Sequence, residues 1–289
     1  IEATVNQIFD DVARNGDQAI SKYTEMFDGC TLNSIEVTTE ETKKASALVS
    51  EELKKAIKQA KSNIESFHKA QKTERVFVET VKGVKCWQEK RAIQKVGLYI
   101  PGGTAPLFST ILMLVVPAQL AGCKEIVLCS PPNAKGNIAN EILYTAQLCG
   151  VTKIIKVGGI QAIAGMTFGT ETIPQVYKIF GPGNTYVTSA KKQVFGKVGI
   201  DLIAGPSEIV VVANEKNNPN WVATDLMAQA EHDINAQSIL ITSSKDFADN
   251  VLRKIKELNQ GLSKKDIIDQ SLELNGLVIL VEDIFKSIE

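Results

Sequence analysis

The sequence predicts an α/β fold of open, mostly parallel sheets covered by helices, with an N-terminal helical segment and a β-hairpin before them. From Val96 onward, short runs rich in Val and Ile alternate with segments of helical length. These runs are apolar throughout, which is typical of strands buried on both faces of a parallel sheet. Before residue 72, apolar residues recur at helical spacing instead. We therefore expect incomplete Rossmann-like units preceded by helices.

The N-terminal segment is predicted to form helices and then a hairpin. Apolar residues recur at helical spacing in VNQIFDDVARN, and Asn15-Gly16 is expected to break this first run. A second helical pattern extends from residue 39 to residue 71. The segment RVFVETVKGVKCWQEKRAI then alternates apolar and polar residues around Lys82-Gly83. That alternation predicts two antiparallel strands joined by a tight turn.

The remaining chain alternates predicted strands and helices. The predicted strands are VGLYI, EIVLCS, KIIKVG, YKIFG, EIVVVA, SILIT and LVILV. The predicted helices cover residues 109–121, 138–149, 161–168, 184–195, 221–231 and 247–258. We expect a discontinuous α/β domain of residues 1–98 and 209–289, and a second α/β domain of residues 99–208. The boundaries are expected in loops such as QKVG and IAGPSE.

The amino-acid composition indicates a globular protein and argues against two classes of partner, nucleic acid and membranes. Hydrophobic residues make up 44% of the chain and charged residues 22%, and the formal net charge is −1. This balance is typical of a soluble globular protein and argues against nucleic acid as a partner. The most apolar stretch, ILMLVVPAQLAG, contains Pro117 and is shorter than the roughly 20 residues that a membrane span needs. We therefore expect no membrane partner.

The N-terminus and the cysteines indicate the compartment. The opening IEATVNQIFDDVARNGD lacks the basic and apolar regions of a secretory signal, so we expect a cytoplasmic protein. The five cysteines form no C-x-x-C pair. Their odd number argues against a disulfide framework and against a metal site built from cysteine. We expect them to be small buried apolar residues.

Three glycine-rich loops between a strand and a helix are candidate ligand sites. They are YIPGGTAPLFST, VGGIQAIAG and FGPGNTYVTSAKK, and Ser109 or Thr110 is expected to cap the helix after the first. Each loop places glycine before a helix N-terminus, where free N–H groups favour a phosphate or another anion. Glycine after a strand also serves plain turn geometry, so one loop alone is weak support. None matches G-x-G-x-x-G, which argues against an ordinary Rossmann dinucleotide site.

A further helix carries one of the two histidines of the chain. In NNPNWVATDLMAQAEHD, Asn218 and Pro219 predict the helix start. Asp225, Gln229 and His232 then share one face, because they are four and three residues apart. This histidine suits a position at the helix C-terminus, where the helix dipole favours a cation. A pair of metal ligands is the alternative, and spacing alone does not decide between them.

Several segments, in order, resemble the histidinol dehydrogenase family. The strongest is IDLIAGPSEIVVVA followed by DLMAQAEH. Other similar segments are VARNGDQAISKYTEMFDG, VGLYIPGGTAPLFSTILML, VVPAQLAGCKEIVLCSPP, LCGVTKIIKVGGIQAIAG and KIFGPGNTYVTSAKKQV. The resemblance covers essentially the whole chain. It implies zinc and NAD as cofactors, L-histidinol as substrate and a homodimer.

The resemblance also implies roles for individual residues. It makes Gln229 and His232 zinc ligands that hold the substrate, and it makes Ser207 of GPSE a further substrate contact. It places three residues, one on each glycine-rich loop, at the NAD site: Tyr99, Gln161 and Asn184. The residues and the resemblance therefore select the same three loops.

The reaction implied is a four-electron oxidation of L-histidinol to L-histidine through histidinaldehyde, the last step of histidine biosynthesis. The family uses a Glu-His pair in a GPEH segment as general acid and base. This chain contains no PEH, and its other histidine is His68. We therefore expect the catalytic pair beyond Glu289 and the 289 residues alone to be inactive. The alternatives are a related zinc- and NAD-dependent dehydrogenase that oxidises another alcohol to a carboxylate, and a non-catalytic α/β module that binds a nucleotide or a partner protein.

Overall fold

The computed structural model describes residues 1–102, 106–203 and 205–284. Contacts divide the chain into two compact units, Ile1–Ile203 and Ala204–Glu289. The first unit therefore joins residues 1–98 to the segment with the three glycine-rich loops, which differs from the expected grouping. The physical reason is that the N-terminal helices cover the sheet formed by that segment. A larger discontinuous domain of residues 1–98 and 209–289 stays a prediction for the whole protein.

Three helices open the first unit: α1 (Glu2–Asp28), α2 (Thr39–Leu48) and α3 (Glu51–Ala70). The expected break in the first run is a kink at Gly16, where φ is 51°. A side chain there would meet Glu171, since its Cβ would lie 2.3 Å from Oε2 of that residue. Helix α2 starts with a capping box, in which Thr38 and Glu41 bind each other's backbone N–H groups.

The predicted hairpin is present as β1 (Phe77–Val81) and β2 (Val84–Trp87), paired antiparallel around Lys82-Gly83. Both strands are exposed along their whole length. The described residues therefore bury neither face of the hairpin.

The main sheet of the first unit has five parallel strands, connected in part by four helices. In chain order these elements are β3 (Lys95–Tyr99), α4 (Phe108–Ala121), β4 (Glu125–Ser130), α5 (Asn140–Leu148), β5 (Lys153–Lys156), α6 (Gly159–Phe168), β6 (Lys178–Phe180), α7 (Thr185–Val194) and β7 (Gly199–Ile200). The strand order is β5-β4-β3-β6-β7. The chain therefore adds β4 and β5 on one side of β3, and then crosses back to add β6 and β7 on the other side.

Helices cover both faces of this sheet, as the sequence predicted. One apolar core lies among α1, α6, α7 and the sheet. The other lies among α2, α3, α4, α5 and the opposite face. Residues of β3 divide between the cores by alternation, with Leu98 in one and Tyr99 in the other. The mostly parallel α/β prediction is confirmed.

The second unit contains β8 (Glu208–Val212), α8 (Pro219–Ala230), β9 (Gln237–Thr242), α9 (Lys245–Asn259), α10 (Lys265–Asn275) and β10 (Leu277–Leu280). Its three strands are parallel, in the order β10-β9-β8. The apolar sides of α8, α9 and α10 pack on the sheet. The start of α8 is as predicted, because Asn218 caps the helix and Pro219 is its first residue.

The structure corrects several details of the sequence analysis. Strand β7 and helix α10 were not predicted. Helix α4 begins at Phe108 after Leu107, without a side-chain cap, so neither Ser109 nor Thr110 caps it. All five cysteines are free, but only Cys30, Cys129 and Cys149 are buried. Cys86 is exposed and Cys123 half-buried, so the expectation of burial is wrong for these two. Among the described residues, no helix is both long and apolar enough to cross a membrane.

Candidate functional site

A cavity of about 810 Å³ lies at the carboxyl edge of the five-stranded sheet. It is lined by residues that follow β3, β4, β5 and β6. In open parallel sheets, ligands bind beyond the carboxyl ends of the strands, where the strand order reverses. Here the reversal lies between β4 and β6, on either side of β3. The position of the cavity therefore follows from the topology of the sheet.

The structure brings Tyr99, Gln161 and Asn184 together in this cavity. They come from the three glycine-rich loops that the sequence selected. In the first of these loops, residues 103–105 lie outside the described residues. A role of these side chains in binding NAD stays a prediction, but their convergence on one cavity is a property of the fold.

Tyr99 is held by the glycine loop before α6. Its hydroxyl oxygen accepts a hydrogen bond of 3.1 Å from the N–H of Gly159. Burial raises the pKa of Tyr99 to about 12, so the hydroxyl remains protonated at neutral pH. The hydroxyl proton can therefore be donated to a ligand.

Gln161 lies in the first turn of α6 and is only 1% exposed. Its Oε1 atom has no hydrogen-bond partner among the described residues. A buried amide oxygen without a partner costs about 1–3 kcal/mol, and such atoms are rare in native proteins. Because Gln161 also lines the cavity, this atom is a candidate acceptor for a ligand.

Asn184 caps α7, and this changes the expectation of free N–H groups. Its Oδ1 accepts hydrogen bonds of 3.1 Å each from the N–H groups of Tyr186 and Val187. The Gly159 N–H at the start of α6 is also occupied, by Tyr99. Fewer donors therefore remain at these two helix starts than the sequence predicted. The side-chain nitrogen of Asn184 is not used by the cap.

The loop that carries Asn184 is fixed through Gly181, where φ is +129°. A Cβ at this position would lie 2.1 Å from the carbonyl oxygen of Tyr99, so no side chain fits. The N–H of Gly181 donates to Asp201 at 2.8 Å, and its carbonyl accepts from Lys191 at 2.8 Å. Lys191, which is 3% exposed, also forms an ion pair with Asp201. We call Gly181, Lys191 and Asp201 the Gly181 clamp.

Sequence reasoning missed two parts of the cavity wall. One is Asp28, the last residue of α1. The other is the loop after β4, which includes Pro131 and Asn133. Asn133 folds this loop by accepting hydrogen bonds from the N–H groups of Lys135 and Asn137. Its position after an apolar strand was a usable signal, whereas no local signal marked Asp28.

The second group of predicted residues lies at the amino edge of the three-stranded sheet. Ser207 immediately precedes β8, and its carbonyl accepts a 3.1 Å hydrogen bond from Gln237 at the start of β9. Helix α8 runs back between these parallel strands, so its C-terminal end returns to the same edge. Gln229 and His232 lie at that end, joined by a 3.2 Å backbone hydrogen bond. All three residues therefore belong to one edge.

The exposure of these side chains suits ligands for a metal ion. His232 and Ser207 are exposed and Gln229 is half-buried, while Val222 and Leu226 on the neighbouring stripe are buried. The histidine ring is therefore not packed in the core. Within the described part of the chain, no group of three or more His, Cys, Asp or Glu residues could hold a metal ion. A catalytic zinc site usually has three protein ligands, mostly His, Cys, Asp or Glu, so the role of Gln229 and His232 as zinc ligands stays a prediction.

We expect the Gly181 clamp to contribute to stability. Lys191→Met removes the donor to the Gly181 carbonyl and leaves the partly exposed Asp201 without its cation, so the free energy of unfolding should fall by about 1–3 kcal/mol. Lys192→Met is the matched control, because Lys192 is the exposed neighbour on the same helix. Urea unfolding followed by circular dichroism measures both variants. Equal stability of the two variants would contradict the clamp.

Comparison with known proteins identifies the family. A family model described as histidinol dehydrogenase matches residues 1–289. A histidinol dehydrogenase of Bacteroides thetaiotaomicron is 52% identical over 287 residues, covering 99% of this chain and 67% of that protein. The histidinol dehydrogenase of Escherichia coli (strain K12) is 48% identical over 292 residues, covering 100% of this chain and 66% of that protein.

A solved structure agrees with the sequence comparisons. The crystal structure of histidinol dehydrogenase from Elizabethkingia anophelis superposes with a TM-score of 0.97 at 49% identity, covering 99% of this chain and 66% of that chain. The chain thus spans about two thirds of the length of these relatives. On the match of the whole chain to one family model and on these identities, it belongs to the histidinol dehydrogenase family.

Proposed function

We propose that the protein containing this chain oxidises L-histidinol to L-histidine in the cytoplasm, as the last step of histidine biosynthesis, with NAD and zinc. Family membership supports the reaction, and one observation supports the cofactor site. Tyr99, Gln161 and Asn184 converge on a single cavity at the carboxyl edge of a parallel sheet. We also propose that the whole protein is a homodimer.

The cavity offers polar groups at separate points between apolar walls. Tyr99 presents a protonated hydroxyl, Gln161 an unpartnered amide oxygen and Asn184 a side-chain nitrogen. Several of the other lining residues are proline or isoleucine, and a mostly apolar lining with a few polar groups is usual for a pocket that binds a small molecule. In this proposal the three residues bind and orient NAD, and the Gly181 clamp keeps Asn184 in position.

The amino edge of the second unit would hold the substrate. Gln229 and His232 would bind zinc, and Ser207 would contact the alcohol substrate. When bound, zinc fixes the pose of the substrate and NAD accepts the hydride. Proton transfer requires a general acid and base, and we propose that the pair lies in the third of the relatives' length that this chain does not span.

The reaction itself is tested by comparing the 289-residue chain with one extended to the length of its relatives. We expect two NADH per L-histidinol from the extended chain and no turnover from the 289 residues, since losing a positioned general base costs about 10²–10⁴-fold. Turnover of a different alcohol would favour a related dehydrogenase. NAD binding without turnover of any alcohol by the extended chain would favour a binding module.

The cofactor site is tested by Gln161→Met in the extended chain. Loss of the amide oxygen should raise the Michaelis constant for NAD by roughly tenfold and leave that for histidinol nearly unchanged. Gln147→Met is the control, because Gln147 is exposed on α5 and does not line the cavity. An equal rise in both Michaelis constants would place NAD elsewhere.

The metal ligands are tested with the two histidines of the chain. A four-ligand zinc site is worth about 10–16 kcal/mol, so removing one ligand should weaken zinc binding by roughly a hundredfold. We expect that loss for His232→Asn and no change for His68→Asn, since His68 lies on α3 and binds Gln71. Competition with a chelating dye measures both variants in the extended chain. Unchanged zinc affinity in His232→Asn would remove this histidine from the site.

A further inference from the structure

The carboxylate of Asp28 lies on the cavity wall, at a position that is unfavourable for the stability of the fold. It is the last residue of α1, where the negative end of the helix dipole disfavours a carboxylate. Its Oδ2 atom is buried and has no hydrogen-bond partner among the described residues. Burial raises the pKa of Asp28 to about 6, so the group is still mostly ionised at neutral pH. The chain therefore keeps a carboxylate at a costly position on the wall of a ligand cavity.

The position of Asp28 is fixed by the packing of α1. The second half of this helix buries Ile20 and Tyr23 in the core shared with α6 and α7. At the kink, the carboxylate of Asp17 accepts hydrogen bonds from the hydroxyl groups of Thr170 and Thr172. The end of α1 is thus held at the carboxyl edge of the sheet, on the same cavity as Gln161.

The charge of the cavity is a second observation, independent of the unpartnered oxygen. None of the described residues that line it is Lys, Arg or His. An ionised carboxylate can accept hydrogen bonds only. It therefore attracts a hydroxyl or amino group of a ligand and repels a phosphate. A phosphate near Asp28 would find a like charge and no lining side chain to neutralise it.

We propose that Asp28 accepts a hydrogen bond from a hydroxyl or amino group of the bound dinucleotide and makes the cavity select NAD over NADP. This inference rests on the proposed NAD site. Rossmann dehydrogenases of the ordinary type place an acidic residue on the ribose hydroxyls about 20 residues after their glycine fingerprint. In this chain the acidic group comes instead from a helix that precedes the whole sheet.

The test is calorimetric titration of the 289-residue chain with NAD and NADP, because direct binding does not depend on turnover. Asp28→Ala removes the acceptor and should weaken NAD binding by about 10- to 100-fold. Asp28→Asn removes only the charge and should raise the affinity for NADP relative to NAD by about tenfold. Asp10→Asn is the control, since Asp10 is exposed on the same helix. It should bind both dinucleotides as the unsubstituted chain does.

Two analogues identify the donor. If a ribose hydroxyl binds Asp28, 2′-deoxy-NAD should bind the unsubstituted chain more weakly than NAD does, and Asp28→Ala should abolish that difference. If the adenine amino group binds Asp28, the hypoxanthine analogue of NAD should bind the unsubstituted chain more weakly than NAD does. Asp28→Ala should then abolish that difference. If the Asp28→Ala variant binds NAD and NADP with the same affinities as the unsubstituted chain, the inference about Asp28 is overturned. The proposed NAD site is then unaffected. An unsubstituted chain that binds no NAD would overturn both.

Discussion

The arrangement of the first unit depends on one constraint, that a parallel sheet must be buried on both faces and open only at its ends. Apolar strands such as β4 have no polar face to turn to water, so helices cover both sides. The strand order reverses around β3, and the loops after β3 and β6 therefore leave the sheet toward opposite faces. The space between them is the cavity. Its position follows from the backbone topology, whereas its chemistry depends on a few side chains at the strand ends.

Buried polar groups define the shape of that cavity. The Gly181 clamp satisfies both the N–H and the carbonyl of one residue with an ion pair whose lysine is buried and whose aspartate is partly exposed. Removing the aspartate would leave the buried Lys191 ammonium without its anion. The hydrogen bond from the Gly159 N–H to the Tyr99 hydroxyl joins the end of β3 to the start of α6. These bonds hold the loops in place, whereas Gln161 Oε1 and Asp28 Oδ2 have no hydrogen-bond partner among the described residues.

In the second unit the candidate residues lie at the amino edge of the sheet, whereas those of the first unit lie at the carboxyl edge. Tyr99, Gln161 and Asn184 lie beyond the carboxyl ends of their strands, but Ser207, Gln229 and His232 lie at the amino edge of theirs. The cause is the direction of α8, whose C-terminal turn returns to where β8 and β9 begin. There the dipole of the helix favours a cation, either a charged histidine or a metal ion. Both interpretations of His232 thus agree with its position, and its role as a zinc ligand stays a prediction.

The sequence by itself determined the order and type of nearly all elements, because strand runs and helix starts are local patterns. The kink at Gly16, the hairpin and the Asn218 cap could each be predicted from a short local segment. Family resemblance identified Tyr99, Gln161 and Asn184, but only the tertiary structure showed that their loops meet in one cavity. No local pattern marked Asp28, the Gly181 clamp or the packing of helices α1, α2 and α3 over the main sheet. Each of these depends on contacts between segments far apart in the chain, and such contacts exist only once the sheet has brought its helices and loops together.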